Sequence, residues 1–174
     1  KEVSELLEID LQDVTIHVTL LGGGFGRKSK PDFVLEAAWL AKETGAPIQV
    51  IWSREDDIRH SYYHAISAQY LKGGLTRDGS VSAWLHRTAY PSITSTFMPG
   101  VVHGAGFEFK QGMTNVPYEI ENQRFENGEA PAHVRIGWLR SVYNIIHGFS
   151  VNVFADELAI EAESDPYEFR MKML

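Results

Sequence analysis

The 174-residue chain contains no cysteine. That excludes disulfides, thiolate metal sites and iron–sulfur ligation by this chain. Positive charge is also scarce: 16 Lys and Arg stand against 23 Asp and Glu, a net charge of −7. An acidic balance without a basic cluster argues against nucleic acid as the main partner. No apolar run approaches the roughly 18 residues of a membrane-spanning helix. The first residues, KEVSELLEID, lack a signal-peptide pattern. These absences do not fix a compartment.

Hydrophobic residues make up 44% of the chain, enough for a domain with a real core or a large piece of a bigger one. The sequence starts without Met, and its last residues, FRMKML, stop within an apolar helical pattern. A piece of a longer chain is therefore expected, against the alternative of a natural domain with a frayed last helix.

Periodicity gives the order of elements. Val14, Ile16, Val18 and Leu20 alternate with Thr15, His17 and Thr19, the period of a half-buried strand. A glycine stretch follows, then Ser29 and Asp32 at capping-box spacing around Pro31. Phe33, Ala37, Leu40 and Ala41 mark a helix that Gly45 and Pro47 stop. Ile48, Val50 and Trp52 read as the next strand, completing a β–glycine loop–α–β unit that favours a parallel pair. Ser53 and Asp56 cap a short helical turn. Residues 64–72 and 81–87 form an antiparallel hairpin around the turn TRDG, 76–79. Residues 91–128 look irregular, as functional loops often do. Residues 132–137 read as a short strand. A helix follows with Val151, Phe154, Ala155, Leu158 and Ala162 on one side. Asp165, Pro166 and Glu168 then open a last helix as N-cap, first residue and third residue. The fold class is α+β: a small mixed sheet with a β–Gly loop–α–β unit, an antiparallel hairpin and C-terminal helices. Three stretches divide it: 1–90, the irregular 91–130, and 131–174.

The stretch LLGGGFGRKSKPDF, residues 20–33, carries the chemistry. Glycines between a strand and a helix let backbone N–H groups approach phosphate, pyrophosphate or a metal-bound oxygen. The plain alternative is a tight connection that only needs φ > 0. Two nucleotide motifs miss by one residue. A P-loop and a dinucleotide fingerprint each require glycine where Arg27 stands, and Pro31 removes an N–H at the helix start.

GGGFGRK, then DFVLEAAWLAKETGAPIQVIWSREDDI, then GWLRSVYN, then FADELAIEAESDPYEFRMKML occur in that order. This ordered set resembles the large subunit of molybdenum hydroxylases, the xanthine dehydrogenase and aldehyde oxidase superfamily. Within it, the isoquinoline 1-oxidoreductase type of β subunit, also labelled membrane-bound aldehyde dehydrogenase, is most similar. The likeness covers roughly two-thirds of the chain and weakens over 91–128.

The resemblance implies a fragment of a molybdopterin-binding domain in a bacterial oxidoreductase. Its glycine loop, Gly23, Gly24, Phe25, Gly26 and Arg27, would lie against a molybdenum–pterin cofactor, with the Phe25 and Gly26 amides toward its oxygen ligands. Arg140, Ser141 and Val142 would form a second edge of the same cavity, Arg140 supplying fixed positive charge. Whether the pterin is the cytosine dinucleotide stays open. The [2Fe–2S] clusters would sit on a partner iron–sulfur subunit, and the rest of the large subunit is the other implied partner. Purine-oxidising relatives carry a Glu at the substrate-binding position where this chain has Ser29, so an N-heteroaromatic or an aldehyde is the expected substrate. The family's catalytic Glu has no match here, so no catalytic residue is assigned and the chain alone is not expected to turn over substrate. Both periplasm and cytoplasm stay open.

Other groups invite blander readings. His60 and His64 stand four apart without a third metal ligand nearby. Glu55, Asp56 and Asp57 sit at a helix start, where acids favour the dipole. Asp156 and Glu157 suit a solvated helix face. Trp39, Trp52 and Trp84 fit core or subunit contacts. Two rival readings remain at this point: a P-loop-like nucleotide-binding domain and a non-catalytic α+β binding module.

Overall fold

The computed structural model describes residues 1–174 as two compact units, Lys1–Tyr62 and Tyr63–Leu174. Six helices and one three-stranded sheet make up the α+β fold.

In the first unit, α1 (Glu2–Leu7) packs with α2 (Asp32–Thr44), and α3 (Arg54–His60) follows. Gly45 ends α2 in the left-handed conformation at φ 64°, its N–H donating to the Ala41 carbonyl, as the sequence predicts. Ser53 and Asp56 close a complete capping box on α3: the Asp56 N–H donates to Ser53 Oγ at 3.1 Å and the Ser53 N–H to Asp56 Oδ2 at 3.2 Å. The acids at 55–57 thus serve the helix start.

The expected strands at 14–20 and 48–52 do not form, and neither does the β–α–β unit they would bound. Alternation makes a segment fit for a strand, but only a ladder partner makes it one. None pairs with either segment, and several of their apolar side chains stand outward: Val18 is 90% exposed and Ile51 79%, while Val14, Val50 and Trp52 are half-buried. The capping box at Ser29 and Asp32 is also absent, since Pro31 occupies the N-cap position of α2. Asp32 is instead taken by the fork of Arg27, a stronger charge-assisted pair.

In the second unit, β1 (Ala68–Leu75) and β2 (Val81–Ala89) form the expected antiparallel hairpin. Its turn closes through the Gly79 N–H on the Thr76 carbonyl, 3.0 Å, with Gly79 at φ 81°. The parallel pair lies elsewhere than expected. β3 (Asn122–Gly128), inside the stretch that reads as irregular, runs parallel to β2 from Ala83↔Asn122 to Ala89↔Gly128. That stretch also holds a 3-10 turn, Ile93–Thr96, and α4 (Gly106–Phe109). The strand expected at 132–137 reduces to one bridge, Ile136 to Tyr63.

α5 (Asn144–Glu161) begins one turn earlier than its apolar pattern predicts, and α6 (Pro166–Met173) starts at its Asp165 cap. Trp84, His86 and Thr88 alternate into the buried side of β2. α5 covers that side with the small residues Ala155 and Ala159, both fully buried. Gly73 makes the close approach possible: a Cβ there would lie 2.8 Å from Leu158 Cδ2. Phe154 meets Trp84 edge-on at 4.8 Å, and Phe169 and Met173 of α6 close this core. A second core gathers Ala65, Tyr90, Ile93, Ile136 and Tyr143. Of the other tryptophans, Trp52 is half-buried on α2 through a 2.8 Å bond to Glu36, while Trp39 is 50% exposed and belongs to no core in this chain.

Candidate functional site

The glycine loop turns on two left-handed residues, Phe25 at φ 45° and Gly26 at φ 85°. The Arg27 N–H donates to the Gly24 carbonyl at 2.8 Å, and the Ser29 N–H and hydroxyl both donate to the Gly26 carbonyl, at 3.2 and 2.8 Å. Phe25 folds its ring back over Gly23, where a Cβ would lie 2.8 Å from ring carbon Cε2. Gly26 is therefore required by the loop's own geometry, whereas a Cβ at Gly23 would only displace the exposed Phe25 ring. Gly22 and Gly24 are not required: a Cβ meets nothing within 4 Å at Gly22 and only ordinary contacts at Gly24. Their bareness leaves open backbone on an exposed loop, the surface an oxygen-rich ligand needs. Open glycine backbone of this kind fits the oxygen-rich edge of a pterin cofactor.

Arg27 points its guanidinium at Asp32, Nη1 to Oδ1 at 2.8 Å and Nη2 to Oδ2 at 2.9 Å. It lies over the rings of Tyr62, 5.0 Å, and Trp52, 6.0 Å. Its pKa is held above the ordinary value, first by the bond to Asp32. Lys28 Nζ sits 4.4 Å from the centre of the Phe33 ring.

Arg140, Ser141 and Val142 form the tight turn that leads into α5. Ser141 at φ 70° and Val142 at φ 45° are both left-handed, and a β-branched residue is a rare occupant of that region. The turn is pinned by the Val142 N–H on the Leu139 carbonyl, 2.9 Å, and by Asn144, whose N–H and side-chain amide reach the Ser141 carbonyl. His64 Nε2 lies 3.2 Å from the Arg140 carbonyl, so this histidine braces the same turn. The glycine loop belongs to the first compact unit and the Arg140 turn to the second.

Behind that turn lies a buried polar cluster that the sequence does not announce. The Tyr143 hydroxyl donates to the Pro91 carbonyl at 2.8 Å and accepts from the Ile93 N–H at 2.7 Å. Glu108, fully buried, accepts from Ser92 Oγ at 3.0 Å and the Ala105 N–H at 2.8 Å. Burial, then the Glu108 charge, raises the Tyr90 and Tyr143 phenol pKa values. His86 and His147 meet edge-on at 5.7 Å, both buried. Desolvation and then the neighbouring His147 push His86 down to about 4, and desolvation lowers His147. The available signal is weak: an acid between two phenylalanines in FEFK, and histidines at apolar positions of β2 and α5.

The family model described as "Molybdopterin cofactor-binding domain" matches residues 1–174, and the chain belongs to that family. It is 30% identical to a nicotinate dehydrogenase subunit of Pseudomonas putida, over 99% of this chain and 15% of the relative. It is 28% identical to the β subunit of isoquinoline 1-oxidoreductase from Brevundimonas diminuta, over 97% of this chain and 22% of that protein. Among solved structures, aldehyde oxidoreductase from Desulfovibrio gigas shares the fold, with TM-score 0.69 at 22% identity over 87% of this chain and 16% of its own. The chain thus spans about a fifth or less of these proteins' length.

Proposed function

We propose that this chain supplies cofactor-facing backbone to the molybdenum–pterin site of an oxidoreductase that hydroxylates N-heteroaromatics or oxidises aldehydes, with water as oxygen source. One observation carries the reading. Five non-glycine residues have positive φ, and three of them, Phe25, Ser141 and Val142, fall in the two segments that the family resemblance assigns to the cofactor. Left-handed strain is retained where it aims backbone at a ligand.

The residues divide the work. Gly22 and Gly24 leave the backbone uncovered, and the turn at Phe25–Gly26 presents amides, with the Phe25 ring excluding water beside them. Arg140, beside the left-handed turn at Ser141 and Val142, supplies positive charge from the second unit. Ser29, its hydroxyl turned to the Gly26 carbonyl, offers no carboxylate to a purine, which favours substrates with few polar edges. When bound, the cofactor supplies the two-electron oxidation. The clusters that carry electrons onward lie outside this chain, which has no cysteine, and are proposed on an iron–sulfur partner subunit. The pterin is proposed as the cytosine dinucleotide form.

The test is metal and pterin content. In the full-length protein purified with its iron–sulfur partner, about one molybdenum and one pterin per chain are expected. Replacing Gly26 by Leu should remove both, since a β-substituted residue resists φ 85°. A complete, folded protein with neither molybdenum nor pterin would overturn the reading.

A further inference from the structure

We infer that Arg27 is a positioning residue: its guanidinium clamps the glycine loop to the first turn of α2 and is not the charge presented to the ligand. The functional consequence rests on the cofactor-edge reading above; the clamp itself does not.

The loop needs an anchor. Phe25 and Gly26 turn it through left-handed backbone, and such a conformation persists only where its surroundings over-determine it. Gly22, Gly23, Gly24 and Gly26 contribute no side chains to that task. Arg27 is the first residue after the turn, and its N–H already bonds to the Gly24 carbonyl across it.

Its side chain then reaches Asp32, the first residue of α2, with both fork nitrogens on both carboxylate oxygens at 2.8 and 2.9 Å. This planar two-point contact fixes direction as well as distance, which an ammonium cannot do. Two rings complete the seat. Tyr62 lies 5.0 Å away, in the segment that follows α3, and Trp52 lies 6.0 Å away, itself tied to α2 through Glu36 at 2.8 Å. Arg27 thereby joins three segments of the first unit.

Charge and exposure point the same way. A cation waiting for an anionic ligand stands in solvent, whereas the Arg27 and Asp32 side chains are only 18% and 20% exposed. The carboxylate beside it cancels the field an incoming anion would feel. On this account the loop draws its ligand with backbone amides alone.

Asp32→Asn separates the two roles, because it leaves Arg27 charged while removing its seat. Arg27→Lys keeps the charge and loses the fork. Both variants are made in the full-length protein with its iron–sulfur partner. Amide exchange is followed at residues 22–26, and molybdenum and pterin content are measured alongside. The clamp predicts that each variant speeds exchange over 22–26 by about tenfold, while amides at 41–45 at the far end of α2 keep their rates. It also predicts that the double variant is no worse than either single one, and that each single variant loses molybdenum and pterin in step with the faster exchange. A ligand-facing cation predicts otherwise: Arg27→Lys and Asp32→Asn both keep the cofactor and unchanged loop exchange. That result overturns the clamp. Faster loop exchange with full molybdenum and pterin upholds the clamp and overturns the cofactor-edge reading instead. If Asp32→Asn does not fold, Arg27→Lys decides alone by the same exchange measurement.

Discussion

The two compact units are built on different physics. Every buried residue of the chain, from Ala65 to Met173, lies in the second unit, and the first has none. The second unit is held by two apolar cores and a buried polar cluster. The first combines the packing of α1 on α2 with directed polar contacts: the capping box of α3, the Arg27 fork on Asp32 and the Trp52 bond to Glu36. Burial scales with area and is indifferent to direction, whereas hydrogen bonds and ion pairs fix orientation and contribute little net stability. The unit with the glycine loop is thus the one organised for aim, and the other the one organised for stability.

The contrast breaks most visibly in the core. Trp84→Ala removes the ring that Phe154 and Tyr118 pack against, in a site 2% exposed. It should cost about 3–5 kcal/mol in urea unfolding. Val18→Ala, at a position 90% exposed in the first unit, should stay within about 0.5 kcal/mol. Equal losses would deny the division.

Acid sharpens the comparison next. The folded-state pKa of His86 lies near 4, below the unfolded value of 6.5. Below pH 6.5 the unfolded chain therefore binds the proton first, and the second unit loses stability as pH falls toward 4. His86 alone accounts for at most about 2 kcal/mol between pH 8 and pH 5. His147, shifted in the same direction, adds to it. Unfolding followed by Trp84 emission over that range measures the slope. A flat profile would show that the pair does not stay neutral in the fold.

The smallest effect compares two helix caps. Asp165→Ala takes acceptors from the Tyr167 and Glu168 N–H groups, and Ser53→Ala takes one from Asp56. Each should cost about 1 kcal/mol. The Asp165 loss should register in global unfolding, because Phe169 and Met173 of α6 belong to the core. The Ser53 loss should appear only as faster amide exchange within α3, which buries no residue.

Local signals in the sequence are legible where local chemistry decides the outcome. The caps at Ser53 and Asp165, the Gly45 stop and the TRDG turn rest on neighbours within four residues, and all are present. Elements that need distant partners are harder. Residues 14–20 alternate well and find no ladder, while β3, NQRFENG, has no β-branched residue and yet pairs along its whole length with β2. Pairing, not propensity, decides both cases. At the candidate site, the glycine loop is legible because a left-handed turn such as Gly26 writes itself as glycine, whereas the RSV turn is reached only through the family resemblance, since Ser141 and Val142 do not announce left-handed backbone. The seat of Arg27 is not legible, because Asp32 also fits a helix cap and only the folded loop shows which bond wins. Glu108 and the histidine pair are invisible for a related reason: a buried polar group is distinguished by its partners, and those come from residues far apart in the chain.

The arrangement of the sheet also carries a timetable. β1 and β2 are joined by the five residues 76–80, so they find each other at little entropic cost. β3 must close the whole of residues 90–121 before its first bond to β2 can form. Within that closure lie Ile93, Glu108 and Met113, all fully or almost fully buried. The order of events follows from topology: hairpin early and β3 late. Until β3 arrives, the open edge of β2 is the most vulnerable line in the molecule.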